Sequence, residues 1–347
     1  MEEVMKKVVL LSLLLFLMIG LASTFARGGR EAAREGEWSP GRPIQIIVPW
    51  GAGGSTDLVT RIVIPELERE LRARIIVSNQ PGASGVTGTQ AALDAARDGY
   101  TWTAGSVVDL GLYQVNGLLD TNIRDDWHIF LTSADVGIVG VNVNSPHQSF
   151  SDLLAEFRAN PGQVRVATAG LRSSGTANIE MIRSYTGIDY VNVPYGGGAP
   201  AVTAVVSGEV MITSQLISEQ ADMIRGRMIR PLAALTNEDL YLSGYGVIPS
   251  IRRYIPEFQA ASNWFGIFIP RGVPAEVIAT ITRIWENTVA NSEDVRQFID
   301  GRGMMFSPTS GDIAQQRAFE FYQVVGWVLY DNGLAAVRPD TVGIPRP

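Results

Sequence analysis

Two glycine-rich segments carry the residues best suited to bind a ligand in this 347-residue chain. Residues 51–57 read Gly-Ala-Gly-Gly-Ser-Thr-Asp, and residues 169–176 read Ala-Gly-Leu-Arg-Ser-Ser-Gly-Thr. Each follows a short β-branched run and precedes an amphipathic stretch, which predicts a strand, a turn and a helix. Backbone N–H groups in such a turn lie at the positive end of a helix dipole, where an anion is stabilised. Together the two turns predict an anion bound between two parts of the molecule.

The side chains of the two turns leave more than one role open. Ser or Thr occurs at the helix start in both turns and could cap the helix or donate to a ligand: Ser55, Thr56, Ser173, Ser174 and Thr176. Asp57 suits a helix N-terminus but would repel a carboxylate, so we interpret it chiefly as a loop and helix stabiliser. Arg172 could pair with a second carboxylate, and a solvated surface arginine is the alternative.

Several other chemistries lack the side chains that they need. The chain has no cysteine and only two histidines, which argues against disulfides, thiolate nucleophiles and three-histidine metal sites. A carboxylate-rich metal site stays open on this ground, but we predict no metal and no cofactor. The first turn lacks the lysine of a phosphate loop, and Thr56 stands where the third Rossmann glycine would be. A Gly-x-Ser-x-Gly motif is absent. A net charge of −7 without a basic cluster argues against nucleic-acid binding.

The first residues predict an export signal. The only two lysines, Lys6 and Lys7, precede an apolar run over 8–22 that ends in Ala-Ser-Thr-Phe-Ala at 22–26. This pattern predicts a cleaved signal peptide over 1–26, with an uncleaved membrane anchor as the alternative. Residues 27–40 then predict a polar tether. We therefore expect a soluble periplasmic monomer that is not a lipoprotein, because a lipoprotein needs a cysteine after the signal.

The remainder of the chain alternates short β-branched runs with amphipathic stretches, which is typical of α/β proteins. The predicted strands lie at residues 44–48, 75–77, 101–104, 137–143, 164–168, 190–193, 211–213, 232–235 and 264–269. The order of strand, glycine turn and helix occurs twice, and helices follow at the end of the chain. This order predicts two lobes, between which the chain crosses more than once.

These residues resemble the substrate-binding proteins of tripartite tricarboxylate transporters, the Bug-type receptors. Residues 43–57 read Pro-Ile-Gln-Ile-Ile-Val-Pro-Trp-Gly-Ala-Gly-Gly-Ser-Thr-Asp, like the opening of those proteins. The likeness continues in order through residues 79–85, 98–101, 193–195, 198–200, 264–266 and 269–270. It covers nearly all of the chain after the predicted tether.

The resemblance implies an α/β fold of the two-lobed periplasmic-binding-protein type (Venus flytrap, type II). The lobes would comprise residues 41–138 with 265–347, and residues 139–264. They would close by a hinge near 137–143 and 264–269 on a small organic carboxylate, such as a di- or tricarboxylate, held by backbone N–H groups, hydroxyls and water. The partner would be the membrane permease of such a transporter, and the protein would bind its ligand without chemistry.

The resemblance also implies a set of ligand-binding residues, to which the argument from the turns adds Arg172. From the first lobe they are Trp50, Gly51, Ala52, Gly53, Gly54, Ser55, Thr56, Asp57, Ala83, Ser84, Gly85, Val86 and Ser106. From the second they are Ala169, Gly170, Ser173, Ser174, Gly175, Thr176, Asn178, Tyr195 and Gly196. Asn178 stands where the family often has histidine, and Ser214-Gln215 replaces a frequent aspartate, so the ligand stays open.

Two other classes of function remain. A sensory receptor would present the same ligand-bound fold to a signalling partner instead of a permease. A secreted α/β enzyme would use Asp57 or Arg172.

Overall fold

A computed structural model describes residues 37–347. The predicted signal peptide and most of the predicted tether, residues 1–36, lie outside the described residues. Pro40–Pro347 forms one compact unit. Within the described part of the chain, no helix is both long and apolar enough to cross a membrane.

The strands are numbered here along the chain, as are the helices. The strands are β1 Ile44–Val48, β2 Ile75–Asn79, β3 Thr101–Ser106, β4 Trp127–Asp135, β5 Ile138–Asn142, β6 Arg165–Thr168, β7 Val191–Pro194, β8 Ile212–Thr213, β9 Ile229–Ala234, β10 Leu240–Leu242, β11 Gly246–Ile248, β12 Asn263–Pro270 and β13 Met305–Ser310. The helices are α1 Ser55–Leu71, α2 Val86–Asp94, α3 Val107–Leu112, α4 Ile123–Asp126, α5 Phe150–Ala159, α6 Ser174–Thr186, α7 Gly198–Ser207, α8 Ile217–Arg225, α9 Ala275–Asn287, α10 Glu293–Gly301 and α11 Gly311–Asp331.

Two mixed sheets organise the fold. The first has the order β13-β4-β12-β3-β1-β2, and the second has the order β7-β6-β8-β5-β9. In the first, β1 pairs in parallel with β2 and β3, while β12 is antiparallel to β3 and β4. In the second, β6 pairs in parallel with β7 and β8, while β5 is antiparallel to β8 and β9. This confirms the predicted mixed α/β class.

The chain passes from one sheet to the other more than once. β4, in the first sheet, ends at Asp135, and β5, in the second, begins at Ile138. β12 then returns the chain from the second sheet to the centre of the first. The lobe boundaries at residues 138/139 and 264/265 and the hinge stay predictions.

The position of the two glycine turns follows from the parallel pairing of the strands on either side of them. α1 connects the parallel strands β1 and β2, and α6 connects the parallel strands β6 and β7. Parallel strands need such a crossover, so the turn that leads out of each strand opens at the carboxyl edge of its sheet. The apolar face of α1 packs inward through Val59, Val63 and Leu67, which are buried.

Candidate functional site

The two predicted glycine turns and a third one meet between the sheets. The turn after β1 precedes α1, the turn after β6 precedes α6, and residues 195–197 lead from β7 into α7. The backbone N–H of Gly51 donates to the carbonyl oxygen of Gly196 at 3.3 Å. A Cβ atom on Gly51 would lie 3.1 Å from that oxygen. The cleft between the turns is therefore closed, and the two turns approach so closely that a side chain at residue 51 would press against the Gly196 carbonyl.

The closed cleft contains a cavity of about 20 Å³. Seven of the predicted site residues line it: Trp50, Gly54, Ser55, Thr56, Ala169, Ser173 and Ser174. Six residues outside the predicted ligand-binding set complete the lining: Asp109, Gly198, Gln215, Leu216, Glu219 and Phe265. A volume of this size holds about one water molecule, so an organic acid needs the cleft to open or rearrange.

A second cavity of about 560 Å³ lies beside the first turn of α6. It takes in four predicted site residues: Ala83, Ser84, Arg172 and Thr176. Leu118, Glu180, Arg183, Tyr190 and Asn192 also line it. The structure thus divides the predicted residues between two cavities, and it places Arg172 outside the closed cleft.

The other predicted residues line neither cavity: Gly51, Ala52, Gly53, Asp57, Gly85, Val86, Ser106, Gly170, Gly175, Asn178, Tyr195 and Gly196. Several of their side chains are engaged elsewhere. Ser106 Oγ accepts from the Asp109 N–H and caps α3. Asn178 Nδ2 donates to the Ser214 carbonyl at 2.8 Å, and the Tyr195 hydroxyl donates to Glu209 Oε1 at 2.9 Å.

Asp57 has the structural role expected of it. It is buried, and its carboxylate accepts from the Gly53 N–H at 3.0 Å, from Arg61 Nε at 2.9 Å and from Asn79 Nδ2 at 3.0 Å. Burial raises the pKa of Asp57, but these hydrogen bonds and the Arg61 charge outweigh burial and leave the pKa below 3.8. The carboxylate fixes the turn before α1.

Of the hydroxyls in the two turns, Ser173 takes one of the roles that the sequence left open, whereas Ser55 takes neither. Ser173 is the N-cap of α6, since its Oγ accepts from the Thr176 N–H. Ser55 does not cap α1, because the N-cap is Gly54 and it provides no side chain. Instead the Ser55 hydroxyl lies 2.7 Å from that of Ser218, across the cleft. Thus Ser55 contributes to cleft closure.

Three carboxylates that the sequence analysis missed surround the cleft. Asp109 Oδ2 accepts from Trp50 Nε1 at 2.9 Å, and Asp135 Oδ2 accepts from Ser218 Oγ at 2.5 Å. Burial raises the pKa of each aspartate to about 7, against hydrogen bonds that lower it. Burial also raises the pKa of Glu219, which borders the same cavity. Burial at the cleft therefore disfavours the charged form of all three acids.

The sequence carried a signal for one of these acids only. Asp109 follows Ser106 at capping-box spacing, directly after a strand, which places it near the carboxyl end of that strand. Glu219 looks like any acidic residue in the first turn of a helix, and its partner Ser55 lies 164 residues away. Among residues 37–347, no group of three or more acidic or histidine side chains could hold a metal ion.

Comparison with known proteins decides the family. The model of the tripartite tricarboxylate transporter family receptor matches residues 59–321. The chain belongs to this receptor family. The match confirms the resemblance seen in the sequence. The receptor is similar to the protein BugT of Bordetella pertussis, with 29% identity over 307 residues, which cover 87% of this chain and 92% of BugT.

Two solved structures show the same fold. One, a protein of R. palustris with adipate, superposes with a TM-score of 0.76 at 22% identity, covering 85% of this receptor and 99% of that chain. The other is MatC of Rhodopseudomonas palustris with bound malate, with a TM-score of 0.74 at 23% identity, covering 82% and 99%. These likenesses confirm the two-lobed periplasmic-binding-protein fold.

Proposed function

We propose that this receptor binds a small organic carboxylate between its glycine turns in the periplasm and delivers it to the permease of a tripartite tricarboxylate transporter. We propose further that the protein is exported and acts as a monomer, as the sequence predicts. Malate and adipate, bound by two proteins of the same fold, indicate the size of ligand to test first.

One observation supports the proposal above the others: two helices without side-chain caps point their N-termini into the same cleft. The N-cap residues are Gly54 for α1 and Gly197 for α7, and neither supplies a capping side chain. The first N–H groups of a helix have no partner within it and carry partial positive charge. A carboxylate placed between them would satisfy donors of both helices at once.

The described site gives the enzyme alternative no support. Such an enzyme would use Asp57 or Arg172, but Asp57 is held by hydrogen bonds from Gly53 and Arg61, and Arg172 lines the second cavity, outside the closed cleft. A sensory receptor would use the same ligand site. The transport proposal therefore depends on the family, and a deletion strain that keeps normal uptake of the ligand would favour the sensor.

Ligand released from the purified receptor tests the binding proposal. We expect mass spectrometry of the denatured protein to identify a small carboxylic acid. We expect the same acid, at a hundredfold its dissociation constant, to add about 2.7 kcal/mol to the free energy of unfolding.

A matched pair of variants controls for adsorbed acids. Gly51→Val places a side chain against the Gly196 carbonyl and should hinder closure, so less acid should co-purify. Gly41→Val adds the same side chain outside the cleft, where nothing lies within 4 Å of a Cβ atom, and should retain the acid. Equal amounts of acid from both variants, or no stabilising carboxylate in the panel, would contradict the proposal.

A further inference from the structure

The carboxylate of Glu219 reaches across the cleft to the first turn of α1. Glu219 belongs to α8, which follows the second sheet's strand β8, whereas α1 follows β1 of the first sheet. Its Oε1 accepts from the backbone N–H of Ser55, the first residue of α1, at 3.1 Å. It thus gives a partner, from 164 residues away, to one N–H of the first turn of α1, where the N-cap Gly54 supplies no capping side chain.

The same carboxylate lies against α7. A Cβ atom on Gly198, the first residue of α7, would overlap the carboxylate, and one on Gly54 would lie 3.4 Å from Oε1. The carboxylate therefore occupies the space between the two uncapped helix N-termini, and glycine on both sides lets it enter.

Glu219 is also connected to the second glycine turn. When the amide of Gln215 is oriented to satisfy both of its neighbours, its nitrogen donates to Glu219 Oε2 at 2.9 Å and its oxygen accepts from the Ala169 N–H at 2.5 Å. Oε2 further accepts from the Leu216 N–H at 3.4 Å. A single carboxylate thus joins the turn after β1, the turn after β6 and the start of α8.

The surroundings leave little room for a second carboxylate while Glu219 stays in place. The cavity measures about 20 Å³, and Asp109 borders it with an Oδ1 atom that has no partner among the described residues. Asp135 adds a third carboxylate behind Ser218. None of the cavity-lining residues is basic, so an added anion would enter this buried space without a compensating cation.

We propose that Glu219 is an internal ligand: its carboxylate takes the place of the bound carboxylate, holds the empty cleft closed, and must leave when an external acid binds. The displacement step rests on the proposed function, whereas the closure of the empty cleft does not. Glu219 would thereby lower the affinity of the receptor for an external acid. The contacts that Glu219 gives up are subtracted from those that the acid gains.

Distances between labels on the two sheets test the closure directly. The chain has no cysteine, so Ile76→Cys on β2 and Val191→Cys on β7 add two unique sites, at residues that are 54% and 40% exposed. Pulsed dipolar spectroscopy on the ligand-free, spin-labelled protein should show one closed population with Glu219 present. In Glu219→Ala a longer distance should become the major population.

Two further variants keep the test independent of folding defects. Glu219→Gln preserves the shape and one acceptor without the charge, so it should give a mixture of both distances. Asp222→Asn removes a charge from the same helix at a residue that pairs with Arg225 and Arg302 instead of the cleft, and should match the parent.

Titration of the same variants with malate and adipate separates the inference from the proposed function. The inference predicts about tenfold tighter binding by Glu219→Ala, equal to about 1.4 kcal/mol. Unchanged distances in both Glu219 variants would overturn it, as would weaker binding of both acids by Glu219→Ala, which would make Glu219 a contact of the ligand. Longer distances together with no binding by parent or variant would support the closure by Glu219 and count against the proposed function.

Discussion

Between about pH 4 and pH 7 the two buried aspartates of the cleft are expected to lower the free energy of unfolding as the pH rises. Asp109→Asn and Asp135→Asn should each remove that part of the pH dependence. Burial raises the pKa of both aspartates from 3.8 to about 7 in the folded protein. Each should cost the folded state on the order of 4 kcal/mol by pH 7.

The sign follows from proton binding. Between pH 4 and pH 7 the unfolded aspartate has lost its proton and the folded one retains it, so a rise in pH favours unfolding. Glu219, whose pKa is also raised, acts in the same direction. His128 acts in the opposite direction as the pH rises toward 6.5, because burial and the Arg271 charge lower its pKa. Asp57, with a lowered pKa, contributes at and below pH 4.

Urea unfolding at several pH values measures the contribution of the two aspartates to the pH dependence of stability. The parent and each variant share every other titrating group, so those groups cancel in the comparison. We expect the curve for each asparagine variant to be flatter than the parent's over this range, with the double variant the flattest. Asp125→Asn, at an exposed residue, should follow the parent. Parallel curves for the parent and the double variant would show that neither aspartate keeps its proton in the folded state.

Gly266→Ala is expected to destabilise the protein by about 3 kcal/mol. Gly266 lies on β12, where the pairing with β4 shifts register between Phe265 and Gly266. A Cβ atom there would overlap the carbonyl oxygen of Phe130 and lie 2.8 Å from the Leu131 Cα. Both are backbone atoms of the neighbouring strand, so the strands themselves would have to separate.

Gly301→Ala is the matched control for this substitution. Gly301 ends α10, and nothing lies within 4 Å of a Cβ atom at this residue. Alanine favours helix, so this variant should be neutral or more stable by up to about 1 kcal/mol. Equal urea midpoints for Gly266→Ala and Gly301→Ala would mean that β12 and β4 do not approach so closely.

The elements that the sequence predicted well are those with local signals. The run at 44–48 coincides with β1, and the run at 264–269 lies within β12. Both are apolar and bounded by a turn residue or proline. β4 was missed, because Thr132, Ser133 and Asp135 make its sequence polar although all three are buried. Their burial depends on partners far along the chain, which local patterns do not reveal.

The same limit applies to the candidate site. The glycine turns and the family followed from the sequence, because turns and helix starts are local. The contact of Glu219 with Ser55 brings together residues 164 positions apart, and the Ser218–Asp135 contact brings together residues 83 apart. No spacing rule links such pairs. They decide whether the cleft is open to an anion, and only the fold reveals them.

Calorimetric titration with paired ligands tests the central claim, that the cleft binds a carboxylate through helix N-terminal N–H groups. Malate, adipate and citrate would each be compared with the uncharged amide of the same acid. We expect saturable binding of at least one acid. Its amide should bind more weakly, by about a hundredfold or more, because the charge-assisted hydrogen bonds are lost. Equal affinity for an acid and its amide, or no binding of any of the three acids, would contradict the central claim.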